Sequence, residues 1–118
     1  MLHPRLASLP THEVGPEAVV IDGCSFGARL RGLALIGPAG LPPGHALLLR
    51  PCSSIHTFGM RFAIDVAFAD ADGRVLRRIE GLPPWRLRRA RGSAVVLEAR
   101  SGELGRFVEG GRLAGYGT

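Results

Sequence analysis

Arg61-Phe62-Ala63-Ile64-Asp65-Val66-Ala67-Phe68-Ala69-Asp70-Ala71-Asp72-Gly73 is the stretch that decides the fold. Phe62, Ile64, Val66 and Phe68 alternate with Ala63, Asp65, Ala67 and Ala69, a period of two that places large apolar groups on one face of a strand. Two Phe and two β-branched residues suit a pleated surface packed on a core. Asp70 to Gly73 supplies turn chemistry, because Asp and Gly tolerate the positive φ of a tight hairpin. Arg74 to Ile79 is then the returning strand.

Upstream lies Arg50-Pro51-Cys52-Ser53-Ser54-Ile55-His56-Thr57-Phe58-Gly59-Met60, which crowds a thiol, three hydroxyls, an imidazole and a thioether together. Pro51 lacks a backbone donor and Gly59 permits a bend, so residues 51–60 are expected as a polar loop feeding the strand. Such a loop is a common place for a site, because the scaffold fixes it while its side chains stay accessible. Cys52 and His56 would be about 6 Å apart at Cβ in a helix and about 13 Å apart in a strand. The sequence leaves both open. Cys52 reads as a nucleophile activated by His56 or as an inert thiol. Ser53, Ser54 and Thr57 would bind a ligand or satisfy loop backbone groups, and Met60 is expected in the core. Asp65 needs a partner if its face is covered, with Arg50, Arg61 and His56 available, and is solvated otherwise. Zinc on Cys52, His56 and Asp65 is chemically conceivable. No CxxC or HxxxH spacing supports it, and no metal or cofactor is expected.

Farther out, Ala18–Ile21 and His45–Arg50 read as strands. Ser25 to Leu35 reads as a short helix with Phe26, Leu30 and Leu33 on one face. Ser93–Ala99 is another strand, Glu103–Glu109 one or two helical turns, and Leu113 lies in a last short strand. Gly81-Leu82-Pro83-Pro84-Trp85 is expected to be irregular. Residues 1–14 read as a loosely held arm and 15–118 as one domain. Seventeen Gly and nine Pro argue for short elements and against a helical bundle. The expected fold is mainly β: a small compact barrel or sandwich of short, mostly antiparallel strands with one or two short helices.

At 118 residues, 46% hydrophobic and 21% charged, the chain can build a core without disulfides or metals. All fifteen basic residues are Arg, so no lysine Schiff base or phosphate-loop lysine is possible. Residues 74–91 hold seven Arg against one acid, Glu80. Arg77, Arg78, Arg86, Arg88 and Arg89 beside Trp85 are therefore candidates for phosphate contact and base stacking. The competing reading is a solvated strand edge coloured by all-Arg usage, and nucleic acid is the least favoured partner at this level. No apolar run approaches the roughly 20 residues of a membrane span. The first twenty residues lack the apolar region of a secretory leader, which points to the cytoplasm. Cys24 and Cys52 are expected to be reduced.

Pro51-Cys52-x-Ser54-Ile55-His56-Thr57-x-x-Met60-x-x-x-Ile64-Asp65-Val66-x-Phe68 resembles the signature of the domain-of-unknown-function 192 family of bacteria and archaea. Arg29-x-x-Gly32-Leu33 resembles its helix-to-strand junction, and Val96-Leu97-Glu98-x-x-x-Gly102 its later strand and turn; the likeness covers roughly residues 19 to 114. Where the family commonly has Gly-Asp, this chain has Gly110-Gly111. Many relatives carry a secretory leader. The resemblance implies a compact β-barrel-like fold with a small helix and no established activity, substrate or cofactor. Onto Arg29, Cys52, His56, Met60 and Asp65 it carries only membership of the signature.

Three functions fit these residues. The leading one is a ligand- or partner-binding accessory domain, holding a small ligand or a protein segment at the 51–60 loop and Asp65, with Arg29, Cys52, Ser54, His56, Thr57, Met60 and Asp65 as candidate ligand-binding residues. The second is a small hydrolase or thiol-dependent transferase using Cys52 or a His56/Asp65 pair. The third is nucleic-acid binding through residues 74–91.

Overall fold

The structure, a computed structural model, describes residues 2–24, 33–34 and 36–116. A single helical turn, α1 (Pro4–Ala7), precedes β1 (Thr11–Gly15), β2 (Ala18–Asp22), β3 (His45–Leu49), β4 (Ser54–His56) and β5 (Ile64–Ala69). Then follow β6 (Val75–Leu82), β7 (Leu87–Arg89), β8 (Val95–Arg100), β9 (Val108–Glu109) and β10 (Arg112–Leu113). Six strands form one sheet in the order β1-β2-β3-β8-β5-β6, and two small ribbons, β4–β7 and β9–β10, stand apart from it. Pairing within the large sheet is antiparallel except between β2 and β3. The fold is mainly β, as expected.

The hairpin read from the sequence is β5–β6, with Val66 opposite Ile79 and Phe68 opposite Arg77. All six residues of β5 are buried, so both faces of the sheet are covered. On one face Ile21, Leu47, Leu49, Ile64, Val66, Phe68 and Val96 form a core with Leu33, Ile36, Leu41, Ile55 and Met60. On the other, Ala46, Ala67, Ala69 and Ala99 are small enough to let Leu104, Phe107 and Leu113 approach closely. The alternation of large and small groups in β5 thus separates two cores, not a core from water.

Several expectations change. Gly81 and Leu82 continue β6 rather than leave it, and Gly81 takes φ +66 where the pairing slips between Ile64 and Val66. Only a residue at ease with positive φ fits such a bulge. The 51–60 loop contains a strand, β4, and residues 1–14 carry α1, with Leu6 buried, and most of the edge strand β1. The helical turns after Glu103 shrink to a 3-10 turn, Leu104–Arg106. The helix expected over Ser25–Leu35 falls for the most part outside the described residues. No helix among the described residues is long and apolar enough to cross a membrane.

Candidate functional site

Thr57 is the keystone of the β4–β7 ribbon. Its side chain is fully buried, and its hydroxyl donates to Pro83 O at 2.8 Å while accepting from Arg86 N–H at 2.8 Å. Its backbone N–H donates to Arg86 O at 2.8 Å, and its carbonyl accepts from Trp85 N–H at 3.1 Å. These bonds hold Trp85 at φ +67, a conformation that costs a non-glycine residue roughly 1 kcal/mol or more. Trp85 is 67% exposed. Strained backbone and an exposed indole both run against folding, and they meet at one residue.

The ring stands in a row. Phe58 stacks on Trp85 at 5.8 Å between centroids, and His56 stacks on Phe58 at 5.0 Å, each pair inclined by 26°. His56 Nδ1 accepts from Phe58 N–H at 3.2 Å, which fixes the imidazole against its neighbour. In the ribbon His56 pairs with Leu87 and Ser54 with Arg89, so these four side chains share one face, and Ile55 and Arg88 share the other. Ile55 packs into the first core. Leu87 is 62% exposed and Phe58 44%. Arg77 donates to Arg89 O at 2.8 Å, Arg86 to Pro84 O at 3.3 Å and Arg88 to Leu87 O at 2.8 Å. Among the described residues none of Arg77, Arg86, Arg88 and Arg89 is in an ion pair, whereas Arg78 pairs with Glu80 at 3.3 Å. Guanidiniums resting on carbonyls keep their full charge.

Of the remaining residues singled out from the sequence, Ser54 lies on the ribbon and the others lie elsewhere. Cys52 is half-buried against the first core, and its thiol donates to Ser54 O at 3.1 Å. Met60 is a core residue, and the Ser54 side chain is exposed. Arg29 lies outside the described residues. Asp65 is buried on the second face, with Ala67 and Ala69. Its Oδ1 accepts from Gly81 N–H at 3.0 Å, and its Oδ2 from Gly102 N–H at 2.9 Å and Leu104 N–H at 3.2 Å. The partners sought among Arg50, Arg61 and His56 are therefore backbone donors, and the carboxylate ties the β6 bulge to the turn after β8. Arg50 instead meets Asp22 at 3.2 Å, and Cys24 donates its thiol to the same carboxylate at 2.6 Å. Burial pushes Asp22 up, but the Cys24 and Arg50 donors outweigh it and hold the carboxyl below its usual range. This pair walls a cavity of about 240 Å³ floored by Leu48, Leu97 and Phe107.

One acid escaped the sequence reading as a candidate. Glu98 lies opposite Leu47 and Val66, is almost fully buried, and its Oε1 has no hydrogen-bond partner among the described residues. Burial pushes its carboxyl up to about 8, so it is largely protonated at neutral pH. The signal was an acid in the apolar run Val95-Val96-Leu97-Glu98-Ala99, the same pattern that drew attention to Asp65. Among the described residues no three His, Cys, Asp or Glu are grouped to hold a metal ion.

The family described as DUF192, uncharacterized ACR, matches residues 24–112. No curated protein matches the chain. A crystal structure described as a candidate transcription regulator from Sinorhizobium meliloti 1021 superposes with a TM-score of 0.68 at 21% identity, covering 81% of this chain and 79% of the other. A protein of unknown function from Novosphingobium aromaticivorans DSM 12444 gives 0.68 at 19% identity, covering 90% and 84%. Identities this low establish the shared fold alone.

Proposed function

This chain belongs to the DUF192 family, and from that premise we propose that it is a non-enzymatic binding module. Its partner-facing surface is the β4–β7 ribbon with the adjoining 56–58 segment, and its partner is anionic. The observation that carries this reading is the row His56–Phe58–Trp85, left open to solvent among guanidiniums without acidic partners. Exposed aromatic and Arg side chains held rigidly are the residues that dominate interfaces. His56 Nδ1 is occupied by the Phe58 N–H, which favours an imidazole that shapes the ring row over one that takes a proton. In this reading Asp65 and Cys52 support the scaffold, and Thr57 shapes the surface from beneath.

Retention on heparin tests it. The chain is expected to bind at low salt and elute steeply as salt rises, because neutralising a polyanion releases counterions. The double substitution Arg86→Glu, Arg89→Glu is expected to abolish retention with unchanged thermal unfolding. A wild-type chain that passes straight through at low salt would end the proposal.

A further inference from the structure

We infer that the anionic partner is single-stranded nucleic acid, with an unpaired base stacking on the exposed ring of Trp85 and the backbone tracking the guanidiniums of Arg86 and Arg89. This rests on the ribbon being the anion-facing surface, and adds what that surface selects. A surface that recognised charge alone would need only the arginines. Here three rings are aligned as well, with the outermost indole the most exposed, and Trp85 is held in a costly conformation by four hydrogen bonds linking Pro83, Trp85 and Arg86 to one buried threonine. A π-face offered beyond the end of a ring row is the complement of another flat ring. Every base supplies one, and stacking of this kind tolerates any sequence.

Charge selects the same partner. Residues 74–91 present seven Arg and one acid, and the guanidinium of Arg86 lies against the Pro84 carbonyl, with no carboxylate among the described residues to neutralise it. Guanidinium also matches phosphate geometry through its paired donors. An acidic polypeptide would satisfy the arginines but offers the indole no regular series of rings. A duplex would satisfy the arginines but keeps its bases stacked on one another, closed to Trp85. Only an unpaired strand meets both demands.

Trp85 is the sole tryptophan, so its emission reports the contact directly. The full-length chain is titrated with single-stranded oligothymidine, with a duplex of equal length and with polyglutamate. Oligothymidine is expected to quench Trp85 and to bind roughly tenfold or more tighter than the duplex. Trp85→Gly, which removes the ring while suiting the positive φ, is expected to weaken labelled oligothymidine roughly 5- to 100-fold and to weaken the labelled duplex less. Phe58→Ala serves as a second variant and should weaken binding in the same sense. Equal affinity for single strand and duplex, with no effect of Trp85→Gly, overturns the inference and leaves the anion-binding surface standing. Quenching by polyglutamate equal to that by oligothymidine overturns it in favour of a protein partner. Absence of both oligothymidine binding and heparin retention at low salt removes the inference together with the proposal beneath it.

Discussion

Asp65 and Glu98 sit on adjacent strands, both almost fully buried, yet on opposite faces and with opposite fates. Asp65 collects three backbone donors, so Asp65→Ala would orphan N–H groups of Gly81, Gly102 and Leu104. A loss of about 3 kcal/mol or more is expected in denaturant unfolding, since each stranded donor costs roughly 1–3 kcal/mol. A loss near zero would show that the turn holds without it. Glu98 faces Leu47 and Val66, and its Oε1 finds no partner among the described residues. In the window between the ordinary carboxylate range and about pH 8, the folded protein keeps a proton that the unfolded chain has released. Its contribution therefore lowers stability as pH rises through that window, by about 1.4 kcal/mol per pH unit. Glu98→Gln is expected to flatten this slope in thermal unfolding and to stabilise the protein most at the alkaline end; an unchanged slope would refute the assignment. The sequence flagged Asp65 and passed over Glu98 as a candidate for a physical reason. An acid in an apolar strand reads the same whether its face meets water, backbone donors or another core, and the covering segments lie far away in the chain.

The β4–β7 ribbon hangs on one hydroxyl. Thr57→Val keeps the shape but leaves Arg86 N–H without its acceptor and Pro83 O without its donor. A loss of about 1–3 kcal/mol is expected, with red-shifted Trp85 emission as the ring row loosens. Unaltered emission would mean that the indole is placed by its ring contacts alone. Little of this element was legible beforehand. Pro83-Pro84 and the Arg run around β7 carry no strand periodicity, and β4 is three residues long inside a segment with both a proline and a bend-prone glycine. The pairing of His56 with Leu87 joins segments about thirty residues apart, so no local pattern announces that Phe58 and Trp85 touch. The β5–β6 hairpin, by contrast, was legible because its signals are local: period two, then Asp and Gly at the turn.

Across the whole molecule, the second core depends on a thin cover drawn from residues 104–113. Phe107 is its largest fully buried member, and Phe107→Ala is expected to cost about 3–5 kcal/mol in thermal or denaturant unfolding. A small effect would mean that the alanine-rich face tolerates being uncovered. The main β class was readable from breaker content and alternation, whereas strand order was not, because β8 inserts between β3 and β5. That insertion governs when the protein can assemble during synthesis. Until residues 95–100 leave the ribosome, β1-β2-β3 and β5-β6 are two partial ribbons with no shared hydrogen bonds. The nascent chain therefore carries unfinished strand edges until β8 emerges, and closure arrives as one event, slow for its size because the joining contacts are distant in sequence.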